Sequence, residues 1–348
     1  MKRLFNLILI FIISIFLWLF VDIVATNFLD IRGFSKFLTA HKKVGHINKP
    51  NFKGHFGGPF NDFYANVSIG SKSERTSSNK ICKTTKEVIF IGDSTVAGFE
   101  VEDDETFVSL INLSCKDHGL SGINFGVRAH DTHGVIGNYQ RVGHAHDHQA
   151  VFYLISHNDV TGNNIILDYK NIVMKFGRIY DGNFYKPKIS FIKKIYYGIR
   201  VFVSDNFYFT TKYIRTLEMS SNVRNEKKIK LSKVKPYNIK DIERLVTLLS
   251  ILKKEVDNNR AGLFVGFSPC LNYDCEKEIE LENLLSKEIN KRNLDIRLFK
   301  IIKKVNDMAL KRPNIKRKMK FRSDQHLSKF GHKIISYILV NELINSKI

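Results

Sequence analysis

Ser94, Gly126, Asn158, Asp324 and His326 are the residues whose types and order suit them to act together. A serine hydroxyl is a poor nucleophile until a histidine accepts its proton, and a carboxylate beside that histidine holds the imidazole in the accepting tautomer. One residue separates Asp324 from His326, so a single loop delivers both. The negative charge that develops on an attacked carbonyl needs donors fixed in advance. The backbone N–H groups of Ser94 and Gly126 and the side-chain amide of Asn158 are of the right kind. At Gly126 no Cβ would keep the backbone N–H from a reacting carbonyl. An unperturbed histidine titrates near ~6.5, where proton transfer at neutral pH is efficient. The chemistry is ester chemistry: Ser94 attacks, His326 is general base and then general acid, Asp324 orients it, and no cofactor is needed.

Such a set works only if strands carry it to one edge. Val88, Ile89, Phe90 and Ile91 run directly into Gly92-Asp93-Ser94-Thr95. A short apolar run closed by glycine predicts a strand buried on both faces, as in a parallel sheet. Read alone, it is also simply a strand ending in a polar turn. Residues 122–125 predict a second strand, ending at Gly126, and 150–155 a third, ending in Ser156-His157-Asn158-Asp159. Helices are expected at 106–117, 130–141, 239–256, 276–290, from about 302, and at 327–344, with further strands at 261–267 and 296–300. The alternation is that of βαβ units and predicts a three-layer α/β/α sandwich around a central parallel sheet. Catalytic groups in such sheets stand beyond the carboxyl ends of strands.

In this order the blocks resemble the SGNH (GDSL-like) hydrolase superfamily. Gly92-Asp93-Ser94-Thr95 is similar to its first block, Asn124-Phe125-Gly126-Val127 to its second and Asn158-Asp159 to the core of its third. Asp324-Gln325-His326-Leu327, followed by Gly331-His332, is similar to its last. The similarity covers roughly residues 86–344, an insertion excepted. It implies a flavodoxin-like sheet, the triad Ser94, His326 and Asp324, and an oxyanion hole of Ser94, Gly126 and Asn158. It departs from the family pattern at Ser156, where glycine is usual, and in having one residue between Asp324 and His326 rather than two. The function it implies is removal of O-acyl groups, acetyl above all, from an extracytoplasmic glycan, lipid or small ester. The alternatives are an O-acyltransferase that hands the acyl group to a glycan hydroxyl, and a non-catalytic binding module that retains the fold.

The remaining chain bears on location. Met1-Lys2-Arg3 precedes a nearly unbroken apolar run, residues 4–21, long enough to cross a hydrocarbon core of about 30 Å as a helix. No clear cleavage site follows, Val24-Ala25 being a weak candidate, so the run reads as an uncleaved anchor, with a cleaved segment as the alternative. The basic start keeps the N-terminus cytoplasmic and sends the domain out. The expected organisation is an anchor at 1–25, a tether and extension at 26–80, and a hydrolase-like domain at 81–348. That domain carries an aromatic, basic insertion at about 161–235. The insertion reads first as a small helical subdomain, with a lid over the site or a membrane-surface element as alternatives.

The net charge of +21 follows a Lys-rich composition spread over the chain, and no nucleic-acid motif accompanies it. Cys82, Cys115, Cys270 and Cys275 include no Cys-x-x-Cys pair. Position along the chain suggests disulfides Cys82–Cys115 and Cys270–Cys275 in an oxidising compartment, against four unpaired thiols. His144, His146 and His148 read as a solvated loop in preference to a metal site. The acidic run 100–105 reads as favouring a helix dipole. His130 and His133 read as surface caps or substrate contacts, and His332 as structural.

Overall fold

The computed structural model describes residues 2–29, 34–57, 62–77, 86–161, 172–175, 178–181, 195, 199, 202–203, 206–214, 217, 238–269, 271, 276–321 and 326–346. After helix α1 (Lys2–Phe28) come two antiparallel hairpins, β1 (Leu38–His41) with β2 (Gly45–Asn48) and β3 (Lys53–Gly57) with β4 (Tyr64–Ser68). The weak periodicity of that stretch hides them, because each strand is only four or five residues long. The central strands are β5 (Lys86–Gly92), β6 (Leu120–Asn124) and β7 (Ala150–Ile155). A hairpin of β8 (Ile172–Lys175) and β9 (Arg178–Asp181) lies within the insertion, and β10 (Gly262–Phe267) and β11 (Arg297–Phe299) complete the sheet.

Five strands pair in the order β11-β10-β7-β5-β6, every pair parallel. Val88, Ile89, Phe90 and Ile91 are wholly buried, as are all six residues of β7. Alternate residues serve opposite faces. Ile89, Ile91, Val151 and Tyr153 pack with α5 (Thr132–Val142) and the helices Ile239–Asn258 and Glu276–Lys291. Val88, Phe90, Phe152 and Leu154 pack with α3 (Phe107–Leu113) and the helices Ile301–Lys311, Ile315–Met319 and Lys329–Asn345. Helices therefore cover both faces, the expected three layers, and burial on both faces explains why the strands read as continuous apolar runs.

The helix expected at 106–117 is two. The chain breaks at Ser114 between α3 and α4 (Cys115–His118), where the Ser114 hydroxyl donates to the Leu110 carbonyl at 3.1 Å. Such back-bonding competes with the helical ladder. Cys115 is buried and disulfide-bonded; Cys82, Cys270 and Cys275 lie outside the described residues.

From β5 the chain pairs β6 on one side, then crosses to β7 on the other. The carboxyl ends of β5 and β7 thus flank the switch point of the sheet, where open α/β folds form a crevice. Ser94 follows β5 and Ser156 follows β7.

Candidate active site

Ser94 is the first residue of the short helix α2 (Ser94–Ala97), so its N–H has no intrahelical acceptor by position. Gly92 makes this turn at φ +155°, and a Cβ there would meet the Leu154 carbonyl at 2.8 Å. Asp93 caps α2, accepting from the Thr95 N–H at 2.9 Å. Ser156 donates its hydroxyl to the same carboxylate at 2.8 Å, which ties the end of β7 to the end of β5. The departure from glycine at Ser156 thus carries a contact of its own. Asp159 accepts from the Ser156 N–H at 2.8 Å. Burial, and then the neighbouring Asp93, push the Asp159 carboxyl well above the ordinary carboxylate range.

His326 arrives from the opposite end of the chain. An antiparallel bridge, Lys320 to Leu327, and a Ser328 N–H to Met319 carbonyl bond of 2.8 Å close its loop just before the helix Lys329–Asn345. His326 Nε2 lies 2.8 Å from Ser94 Oγ, hydrogen-bonding distance. Asp324 and the side chain of Asn158 lie outside the described residues, although the backbone of Asn158 is in α6 (His157–Thr161).

Gly126 does stand beside Ser94's helix. A Cβ there would sit 2.3 Å from the Ala97 nitrogen, so only glycine lets this loop press against α2. Its N–H donates to Asn124 Oδ1 at 2.9 Å, while Asn124 Nδ2 donates to the Val96 carbonyl at 2.8 Å. In this state Asn124 occupies the donor that sequence reasoning assigned to a reacting oxygen.

Glu100 is the principal residue the sequence reading missed. Its Oε1 lies 3.5 Å from His326 Nδ1, its side chain is 1% exposed, and it forms an ion pair with Arg128. Among the described residues no group hydrogen-bonds Glu100 Oε2. Arg128 also lies over the rings of Phe56 and Phe99. Arg75, buried, holds the loop that carries Glu100: it donates to the carbonyls of Gly98 and Val101 at 2.8 Å and pairs with Asp103 at 2.7 Å. The acidic run is therefore not a dipole device. Glu102 accepts from Asn66, Asp103 from Arg75, and Glu105 from Lys329. The available signal was local: Glu100 stands between Phe99 and Val101, both buried, and an acid so flanked is held inward.

Two of the histidines, His130 and His148, differ from their sequence reading. His130 is buried rather than a surface cap or substrate contact, donating to the His46 carbonyl at 2.8 Å. His46 donates to the Arg128 carbonyl at 2.6 Å, so the first hairpin braces the loop beyond Gly126. His148 turns inward to the Tyr139 hydroxyl at 3.0 Å, while His146 lies 3.7 Å from Glu87. Among the described residues no group of three or more His, Cys, Asp or Glu can hold a metal ion. His332 is buried and structural, its Nδ1 accepting the Phe107 N–H at 3.1 Å.

Burial, then the Arg75 and His326 charges, push His332 down to about 3. Its unfolded value is near ~6.5, so between these limits the unfolded chain binds a proton that the native chain does not. The native state therefore loses His332's contribution as pH falls through this window. Urea midpoints of the detergent-solubilised chain test this. The stability advantage of wild type over His332→Gln is largest above about pH 6.5 and shrinks by roughly 1.4 kcal/mol per pH unit toward pH 4. A difference independent of pH would contradict it.

Fold and site together define a class: a doubly wound parallel α/β domain with a hydrogen-bonded serine–histidine pair at the carboxyl edge of its first sheet strand. No family model matches the chain, and no curated protein matches its sequence significantly. Solved structures do show similarity. A member of the lipolytic protein G-D-S-L family from Veillonella parvula is 11% identical over 74% of this chain and 97% of that one, with a TM-score of 0.41. A variant of an acetyl-xylooligosaccharide esterase from Geobacillus stearmophilus is 12% identical over 75% and 96%, TM-score 0.43. The psychrotrophic esterase EstA from a Pseudoalteromonas species is 12% identical over 74% and 96%, TM-score 0.41.

Proposed function

We propose that the chain is a serine esterase of SGNH type, anchored by α1, that removes O-acyl groups, most simply acetyl, from an extracytoplasmic substrate. The observation that carries this reading is the 2.8 Å contact between Ser94 Oγ and His326 Nε2 at the switch point of the sheet. Ser94 Oγ attacks the ester carbonyl as His326 takes its proton. The tetrahedral oxyanion is met by the Ser94 N–H and the Asn158 amide, and by the Gly126 N–H once it leaves Asn124. Collapse expels the alcohol, which receives the proton from His326. Water, deprotonated by the same histidine, then releases the acid and restores Ser94. Asp324 and Glu100 are the two carboxylates assigned to His326.

Outward orientation is supported by the basic start before α1 and by the disulfide at Cys115, since disulfides persist in oxidising compartments. An alkyl fluorophosphonate, which phosphonylates activated serines with loss of fluoride, tests the reading directly. Mass spectrometry of the wild-type chain should find one adduct on the Ser94 peptide, absent after Ser94→Ala and strongly slowed after His326→Ala. An unmodified Ser94 at saturating reagent would rule the reading out.

A further inference from the structure

The end of α1 is tied to the insertion. Eighteen apolar-run positions close at Val21, and α1 is long and apolar enough to cross a membrane. Asp22, the next residue, therefore stands at the boundary of the hydrocarbon, where a carboxylate is costly unless hydrogen-bonded. It is 2% exposed and accepts from the Phe209 N–H at 3.1 Å, the Thr210 N–H at 2.7 Å and the Thr210 hydroxyl at 2.5 Å. Thr26, one turn on, accepts the Tyr208 N–H at 3.0 Å, and the Trp18 indole N–H donates to Thr210 at 3.0 Å. Helical residues 208–214 of the insertion are thus fastened at the level where α1 leaves the membrane.

Large apolar side chains of the same segment stand uncovered. Ile195, Ile199 and Phe202, four and three residues apart and each helical, are 46%, 58% and 57% exposed. Tyr213, Ile214 and Leu217, also helical, are exposed as well. Lys193, Lys194, Arg200 and Lys212 interleave with them in the sequence. Exposed aromatic and aliphatic residues with cations interspersed along the sequence are what a helix lying in the headgroup region carries.

The same segment reaches the active site through one hairpin. A Cβ on Gly57 in β3 would lie 2.8 Å from the Tyr208 hydroxyl oxygen, and the Tyr64 hydroxyl donates to the Leu29 carbonyl at 3.0 Å. Phe56 of that hairpin lies under Arg128, whose partner Glu100 faces His326.

We propose that the exposed side chains of Ile195, Ile199, Phe202, Tyr213, Ile214 and Leu217 are seated in the lipid leaflet from which α1 emerges. Anchor and insertion then hold the Ser94 site against the membrane surface. Given the esterase reading above, on which this consequence rests, the substrate is an acyl ester presented at that surface rather than one diffusing freely. Lipid is the occupant the contacts favour, because Tyr213 and Ile214 lie on the helix whose Phe209 and Thr210 N–H groups bond Asp22 at the end of α1.

The chain contains one tryptophan, Trp18, so a single-reporter experiment is open. Full-length chain carrying Trp18→Phe and Phe202→Trp is reconstituted in phosphatidylethanolamine–phosphatidylglycerol vesicles with and without dibrominated acyl chains. The reporter should emit at short wavelength, lose most of its emission to the brominated lipid and resist aqueous iodide, as wild-type Trp18 does. Quenching by iodide and not by lipid would overturn the proposal. Protection from both quenchers would overturn it too, showing a protein cover. Trp18→Phe with Ile199→Trp gives a second reporter where the first variant does not fold. Emission is read without turnover, so failure of the esterase reading leaves this result interpretable, and the reverse holds as well.

Discussion

Ser94→Ala is expected to lower turnover of a short-chain nitrophenyl ester by roughly 10⁵-fold or more, to the level left by binding and oxyanion donors alone. The size follows from the geometry. Ser94 is the only hydroxyl that His326 is shown to meet at 2.8 Å, among the described residues. Its neighbours Thr95 and Ser156 point elsewhere: the Thr95 hydroxyl lies 3.4 Å from the Ser156 hydroxyl, which itself donates to Asp93. No adjacent group can take over the attack. The variant should keep its stability, because Ser94's hydroxyl makes no bond that holds α2; the cap is Asp93. Nitrophenol release at matched protein concentration reads the result. Equal turnover in variant and wild type would remove Ser94 as nucleophile. Absence of turnover in both, with fluorophosphonate labelling intact, would instead indicate that the acyl-enzyme is resolved by a specific alcohol, as in an O-acyltransferase.

The second large effect is assigned to Glu100. Glu100→Gln is expected to lower kcat by roughly 10²-fold, within the range that positioned acid–base partners contribute. A carboxylate 3.5 Å from Nδ1 favours the imidazolium that forms as Ser94 attacks. Removing its charge makes the imidazolium harder to form, so the acid limb of kcat/KM should move to lower pH. KM should change little, since Glu100 is buried behind the histidine. Asp324→Asn in parallel separates the two carboxylates. If Asp324 alone orients His326, Glu100→Gln will leave both rate and limb unchanged, and the pair with Arg128 is merely structural. A urea midpoint distinguishes that outcome from simple loss of folding, because Arg128 would be left beside an uncharged partner.

Much of this was legible along the chain because it is local chemistry. The run Val88–Ile91 must be buried on both faces, since nothing in it can face water, and Gly92 must end it because φ there is positive. The βαβ alternation forces a parallel sheet, and the residues after its strands fall at one edge. Ser94 and His326 were therefore nameable as partners before any distance was known. A long apolar helix at the N-terminus was equally plain, since a span depends on length and hydropathy alone.

What tertiary structure alone decided are contacts between residues far apart in sequence. Glu100 was read as one charge in an acidic run; the bonds from Arg75 to its loop and the ion pair with Arg128 hold it beside His326. Gly126 was read as a donor to substrate, but the Asn124 side chain folds back onto its N–H, a choice that rotamers make and spacing does not reveal. Nothing along the chain announced that Asp22 and Thr26 of the membrane-length helix accept backbone N–H groups of residues 208–210. Hydropathy describes how each segment meets solvent. It carries no term for which segment satisfies another's buried polar groups, and that pairing is what joins α1 to residues 208–214 in this protein.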